Sequence, residues 1–270
     1  MIPFSFAYYR PSTIEEAVGV FQKLSVEGKG PVYYGGGSEL ISMARVGNLS
    51  FGAVVDIKNI PECKTLGWEG GRFAFGSAVT LSEITESNCF PLLGKAAGRI
   101  ADHTMQCRIT LGGNLSSTII YRETALPLLL AGAHLTAAGP DGFKEYDIRQ
   151  VFQKKLTLPK GSFLVKASIQ KEFLSLPYFH MKKTKNEKID YPLMTAAGLK
   201  VGGAIRIAFS GLASYPFRSE EAEAVLNDRP QLFRTRGTDC PDFVPRSFNR
   251  FPRIRSLPKI RPEKRHFRCP

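Results

Sequence analysis

Two short segments carry residue types that hold anions. Gly35-Gly36-Gly37-Ser38 places three glycines before a hydroxyl, and Thr110-Leu111-Gly112-Gly113-Asn114 sets a glycine pair between a hydroxyl and an amide. Successive backbone N–H groups in a tight glycine turn can converge on one point and form a nest for an anion. A helix that starts just after such a turn adds the positive end of its dipole. Missing side chains leave room for a pyrophosphate to approach the backbone, and the Ser38 hydroxyl is a further donor. Neither segment is a P-loop, since no Gly-Lys-Ser/Thr follows, and neither is Gly-x-Gly-x-x-Gly. Each taken alone is equally a plain turn, because glycine's freedom in φ accounts for it. As a pair they suit a ligand with two phosphates and a long polar chain; two unrelated loops are the alternative.

The surrounding pattern places the first segment on a strand-to-helix turn. A helix over 13–24 is expected from the boxes Ser12/Glu15 or Thr13/Glu16 and from Ile14, Ala17, Val18, Phe21 and Leu24 on one face. A strand at 32–34 then runs into the glycines, and 38–44 reads as a helix. Strands are expected at 54–57 and 72–75, a Thr80/Glu83 capping box opens a short helix, and Pro91 starts another reaching about 101. A helix over 123–131 follows, then strands at 134–138 and 143–148 joined by Asp141-Gly142. Further strands are expected at 162–169, 173–181, 194–201 and 204–210, the last two joined at Gly202-Gly203, with a final helix over 219–226. The stretch 182–188 reads as a solvated loop. The fold class is α+β with more than one layer.

Composition narrows the function. The chain has 270 residues, 43% hydrophobic and 23% charged, ordinary for a globular protein. The net charge of +13 invites a nucleic-acid reading. That charge is concentrated: residues 230–270 hold eleven Lys or Arg against three acids. From Arg229 onward Pro, Arg and Phe recur without a period of 2 or 3.6, so 229–270 is expected to be an irregular basic tail, or an out-of-frame continuation of an ordinary carboxyl end. Cys63, Cys89, Cys107, Cys240 and Cys269 are odd in number and widely spaced, which fits free thiols in a reducing cytosol and not an iron–sulfur cluster within this chain. His103, His134, His180 and His266 are scattered, and no metal site is expected. No signal peptide and no run of about 20 apolar residues is visible, so a cytoplasmic protein without a membrane span is the expectation.

A family resemblance rests on several pieces in order. These are Tyr34 through Leu40, Val55-Asp56-Ile57, Phe75-Gly76-Ser77-Ala78, Thr110 through Leu115, Glu123 to Pro127, and Asp190-Tyr191-Pro192-Leu193 leading into a Gly-Leu-Ala turn. Over residues 1 to about 228 the chain resembles the FAD-binding medium subunits of the xanthine dehydrogenase and carbon monoxide dehydrogenase family of molybdenum hydroxylases. The resemblance implies two subdomains clasping FAD, at about 1–55 and 56–170, followed by a small strand-rich carboxyl domain at 171–228, incomplete here. It implies that Gly35, Gly36, Gly37 and Ser38 bind the pyrophosphate with Glu39 and Leu40 beside it. Thr110, Gly112, Gly113 and Asn114 would hold the other side of the phosphates and the ribityl chain. Glu123 falls where the family places an Asp at the flavin end, Leu164 where a backbone contact to adenine is expected, Lys182 at a lysine near the cofactor, and Ile100 along the isoalloxazine.

The implied activity is oxidoreductase, with no catalytic residue acting on substrate carbon in this chain. A molybdenum-cofactor partner subunit would oxidise the substrate, a [2Fe–2S] partner subunit would relay electrons, and FAD would pass them to NAD, the flavin supplying the chemistry. Xanthine is the expected substrate of the complex. A carbon monoxide dehydrogenase-like medium subunit and a stand-alone FAD oxidoreductase are the alternatives, and a nucleic-acid binder acting through the basic tail is a remote one. The chain departs from the family at Gln106 and Cys107, which stand where an Arg and an Asn are usual. Cys107 is expected to be a buried inert thiol, a reactive one being the other reading.

Overall fold

A computed structural model describes residues 2–184 and 191–228, and the backbone of 233–235 and 243–245. The chain opens with β1 (Ala7–Tyr9), α1 (Ile14–Val26), β2 (Pro31–Tyr34), α2 (Ser38–Arg45) and β3 (Ala53–Asp56). The three strands form a parallel sheet in the order β1-β3-β2. Helix α1 begins because the Thr13 hydroxyl accepts from the Glu16 N–H at 3.2 Å, supplying an acceptor that the first turn lacks. Its Ile14, Ala17 and Leu24 are buried, and Ala53 and Val55 of β3 join them in one apolar cluster.

Next come β4 (Leu66–Glu69), β5 (Arg72–Gly76), α3 (Leu81–Ser87), α4 (Pro91–Ala97), α5 (His103–Gln106), α6 (Leu111–Ser116) and α7 (Ala125–Ala131). They are followed by β6 (His134–Gly139), β7 (Gly142–Asp147), α8 (Ile148–Val151) and β8 (Phe163–Gln170). The five strands make an antiparallel sheet ordered β4-β5-β8-β6-β7. The Thr80/Glu83 capping box is present at α3. Every residue of α7 is buried, as befits a helix apolar on all sides. Burying each of its leucines stabilises the fold by roughly 1.5–3 kcal/mol. Pro127 is tolerated because it sits in the first turn, where its missing N–H would have had no intrahelical acceptor.

A third sheet, antiparallel and ordered β12-β11-β10-β9, is built from β9 (Tyr178–Thr184), β10 (Pro192–Val201), β11 (Ala204–Ser210) and β12 (Phe217–Arg218). Gly202 and Gly203, at φ 55° and 86°, make the tight turn between β10 and β11. Helix α9 (Glu220–Asn227) covers this sheet, its Ala222 and Leu226 packing with Phe179, Ile207 and Phe209. The architecture is α+β with a strand-rich later part. Two further strands, β13 (Phe233–Thr235) and β14 (Phe243–Pro245), pair antiparallel where no strand is expected from the sequence. The rest of the expected basic tail lies outside the described residues.

Five local expectations need correction. Helix α4 ends at Ala97, not near 101, because Gly98 caps it and Ala101 adopts φ 52°. The helix expected over 123–131 starts at Ala125, after Thr124. The strand expected at 173–181 is shifted: Phe173 sits in a single 3-10 turn and the strand runs Tyr178–Thr184, beyond Pro177. Lys182 is therefore in a strand and not in a solvated loop, while 185–188 lie outside the described residues. Last, Thr110 through Asn114 is no glycine turn. It is the start of α6, capped by the Thr110 hydroxyl, which accepts from the Gly113 N–H at 3.1 Å.

Candidate functional site

The first glycine segment joins β2 to α2. Gly37 takes the left-handed conformation, φ 72°, that a branched backbone position disfavours, and it caps α2 with no side-chain hydrogen bond. The first bond of this turn runs from the Ile41 N–H to the Gly37 carbonyl at 2.9 Å. The N–H groups of Ser38, Glu39 and Leu40 thus precede any intrahelical acceptor. This is a start with open donors and the positive dipole end behind them. The Glu39 carboxylate does not cancel it: Oε1 is drawn aside by the Thr118 N–H at 2.8 Å and by the Thr118 hydroxyl.

The second segment differs in kind. Its backbone N–H groups from Leu111 to Asn114 are met by protein acceptors: Leu111 by the Val79 carbonyl (2.9 Å), Gly112 by the Ser77 carbonyl (2.8 Å), Asn114 by the Thr110 carbonyl (2.9 Å), and Gly113 by the Thr110 side chain. Those four backbone N–H groups are therefore not free to form a second nest. The two segments meet directly. A Cβ placed on Gly35 would lie 2.7 Å from Thr110 Oγ1, and one on Gly36 would lie 1.7 Å from the Arg108 carbonyl oxygen. On its Cβ side, the space that glycine leaves at position 36 is therefore filled by the Arg108 backbone. A Cβ on Gly112 would meet Ser77 at 2.7 Å, so this glycine too serves close packing.

A polar chain leads from this junction to a buried ion pair. Asn114 Oδ1 accepts from the Thr124 hydroxyl at 2.6 Å. The next residue along, Glu123, pairs with Lys182 at 3.1 Å, both side chains being 2% exposed. Glu123 also accepts from the Thr195 hydroxyl, and Lys182 donates to the Arg99 carbonyl at 2.6 Å. Burial raises the Glu123 carboxyl above its ordinary value, with Lys182 opposing. On the same face of β9, burial and the nearby Arg99, Lys182 and Lys95 charges push His180 down to about 3. Both of its ring nitrogens are buried without a partner among the described residues.

The remaining expected residues are placed elsewhere. Leu164 is a core residue of β8, opposite Ala137. Ile100 is half-buried against the same core. Cys107 is exposed, correcting the expectation of a buried thiol, and lies 3.7 Å from His103 Nε2.

Four residues that the sequence reading does not name as site residues also belong to this region. Lys58 Nζ bonds the Gly35 carbonyl at 3.0 Å and buried Asp56 at 2.7 Å, and Asp56 accepts from the Tyr8 hydroxyl. Arg122, 3% exposed, donates to the Lys154 and Ser117 carbonyls at 2.6 and 3.3 Å over the Phe152 ring. Burial lowers its pKa and the Glu39 charge works the other way. Asp56 sits in the Val55-Asp56-Ile57 piece that carries the resemblance, so a cue existed for it alone. Among the described residues no group of three or more His, Cys, Asp or Glu could hold a metal, and no helix is long and apolar enough to cross a membrane.

Comparison with known proteins bears on this arrangement. The family model described as "FAD binding domain in molybdopterin dehydrogenase" matches residues 4–169. The carbon monoxide dehydrogenase medium chain of Afipia carboxidovorans is 27% identical over 247 residues, 86% of this chain and 84% of that one. The medium chain of the same name from Hydrogenophaga pseudoflava is 28% identical over 146 residues, 53% of this chain and half of that relative's length. A solved structure of carbon monoxide dehydrogenase from Hydrogenophaga pseudoflava, lacking the Mo-pyranopterin moiety of its cofactor, superimposes with a TM-score of 0.75 at 26% identity, covering 83% of this chain and 80% of that one.

Proposed function

The chain belongs to the family of FAD-binding domains of molybdopterin dehydrogenases, and from that premise we propose that it is the flavin subunit of a molybdenum hydroxylase complex. The observation that carries this reading is the uncapped start of α2. An eight-residue helix begins behind a left-handed glycine with no side-chain cap, and a phosphate group is the acceptor such donors suit. In this reading Gly35, Gly36, Gly37, Ser38, Glu39 and Leu40 hold the diphosphate. Thr110, Gly112, Gly113 and Asn114 act mainly by walling the site. Glu123 and Lys182 set the polarity at the flavin end, with Ile100 and Leu164 as apolar and backbone boundaries.

The chemistry that a bound FAD supplies is electron exchange between a [2Fe–2S] partner subunit and an acceptor such as NAD. The protein's own groups bind, orient and exclude water. The buried Glu123–Lys182 pair holds its charges fixed in a poorly solvated place, so either group can tune a neighbour strongly. The substrate is oxidised in a molybdenum-cofactor subunit. The names of the matched relatives support a carbon monoxide dehydrogenase-like complex; xanthine as substrate and NAD as acceptor draw on the family resemblance alone.

Flavin extraction tests the reading. Denaturing the purified protein and separating the released chromophore should give FAD. FMN alone, or a colourless protein that takes up no FAD when it is added, would sink it.

A further inference from the structure

The first glycine turn is built from three residues with no side chains to fix their peptide planes. Glycine on both sides makes rotation of the Gly35–Gly36 peptide easy. Among the described residues, one side chain hydrogen-bonds its carbonyl: the Lys58 ammonium, 3.0 Å from the Gly35 oxygen. In a planar trans peptide the carbonyl and the following N–H point in opposite directions, and no cis bond occurs among the described residues. Fixing the Gly35 carbonyl toward Lys58 therefore turns the Gly36 N–H away from it.

Lys58 is itself held from three sides. Its Nζ pairs with Asp56 Oδ2 at 2.7 Å, and its own N–H donates to Asp56 Oδ1 at 2.9 Å. Its ammonium lies 4.3 Å from the centre of the Tyr34 ring. Asp56 is 1% exposed and is anchored by the Tyr8 hydroxyl, whose own pKa is pushed up to about 12 chiefly by that bond. The Tyr34 ring also backs the far end of the turn, since a Cβ on Gly37 would lie 2.2 Å from it. Both ends of the turn thus rest on Lys58, directly or through Tyr34.

We propose that Lys58 is a positioning residue for the dinucleotide. It locks the Gly35–Gly36 peptide in the orientation that offers the Gly36 N–H to phosphate, and Asp56 and Tyr8 keep it in place. The proposal rests on the flavin reading above.

FAD binding to the apoprotein of the full chain, followed by quenching of flavin fluorescence, tests it. Lys58→Met should weaken binding about tenfold or more, the usual worth of a charge-assisted hydrogen bond. Lys58→Arg keeps a cation that can reach both Asp56 and the carbonyl, and should stay within about threefold of the parent. That rescue separates positioning from general stability. If Lys58→Met does not fold because Asp56 is left buried without its cation, the pair Asp56→Asn with Lys58→Met removes both charges and gives the same readout. Lys58→Met binding as tightly as the parent, or Lys58→Arg as weakly as Lys58→Met, overturns the proposal. A parent that binds no FAD overturns the flavin reading and the proposal with it; a parent that binds while the variants do not differ from it overturns the proposal alone.

Discussion

Replacing Gly36 by alanine separates two reasons for a glycine at that place. An added Cβ would lie 1.7 Å from the Arg108 carbonyl oxygen, 2.8 Å from its carbon and 3.4 Å from Ile109 Cα. Real contacts of this kind are not closer than 3.0 Å, so the two segments must part by at least about 1.3 Å. Both partners are backbone, and no change of rotamer can relieve the clash. Overpacking of this type costs about 1–3 kcal/mol, and a rigid backbone neighbour puts the change at the upper end. At roughly 2–4 °C per kcal/mol for a chain of this size, the apoprotein should melt about 6–12 °C lower. Scanning fluorimetry of flavin-free protein gives the number. Gly19→Ala is the control: it lies inside α1 with nothing within 4 Å of its Cβ, so alanine should stabilise by about 0.5–1 kcal/mol. If glycine were required at 36 only to admit a phosphate, the apoprotein would melt unchanged and lose flavin alone. An apo melting point within about 2 °C of the parent refutes the packing argument.

Two further changes probe the buried charges. Lys182→Gln leaves Glu123 buried without its counter-ion, which should destabilise the fold by about 3–5 kcal/mol. The Glu123 carboxyl is already raised by burial, and losing Lys182 raises it further. The folded state then holds a proton that the unfolded chain releases as pH rises, so stability falls toward high pH. Urea unfolding at pH 5.5 and pH 8 should show the larger loss at pH 8, and equal losses would contradict this. His180→Leu should flatten the acid limb of the stability curve. With its folded value near 3 against 6.5 in the free side chain, the unfolded chain takes up this proton first. Stability is then lost as pH falls below 6.5, by up to about 1.4 kcal/mol per pH unit. Parallel profiles of parent and variant between pH 6.5 and 4 would show that the fold does not hold His180 neutral.

The parts of the fold that could be read from the sequence are those set by neighbours in the chain. Thr13 and the Thr80/Glu83 box start their helices because a hydroxyl three residues from an N–H needs no distant partner. Gly142, Gly202 and Gly203 make their turns for reasons of φ alone. Thr110 through Asn114 misled because two glycines inside a pattern suggest a turn, while the Thr110 cap and the Val79 and Ser77 carbonyls hold the segment helical. Lys182 misled because a lysine-rich stretch reads as solvated; only the fold brings Glu123, Thr195 and the Arg99 carbonyl around it. Lys58 carries no local mark at all, since its meaning depends on a carbonyl in another element.

The bond from Lys182 back to Glu123 spans 59 residues of chain, and that from Glu39 to Thr118 spans 79. On the ribosome the first parallel sheet can be complete once β3 has emerged. Its glycine turn still waits for Arg108 to cover it, Glu123 waits for its cation, and β5 waits for β8 on its open edge. At about 5–20 residues per second these waits are several seconds each. During them the nascent chain carries an unpaired strand edge and an unneutralised carboxylate. The cover of the glycine turn, the Glu123–Lys182 pair and the β5–β8 edge are accordingly all in place only after β9 has emerged.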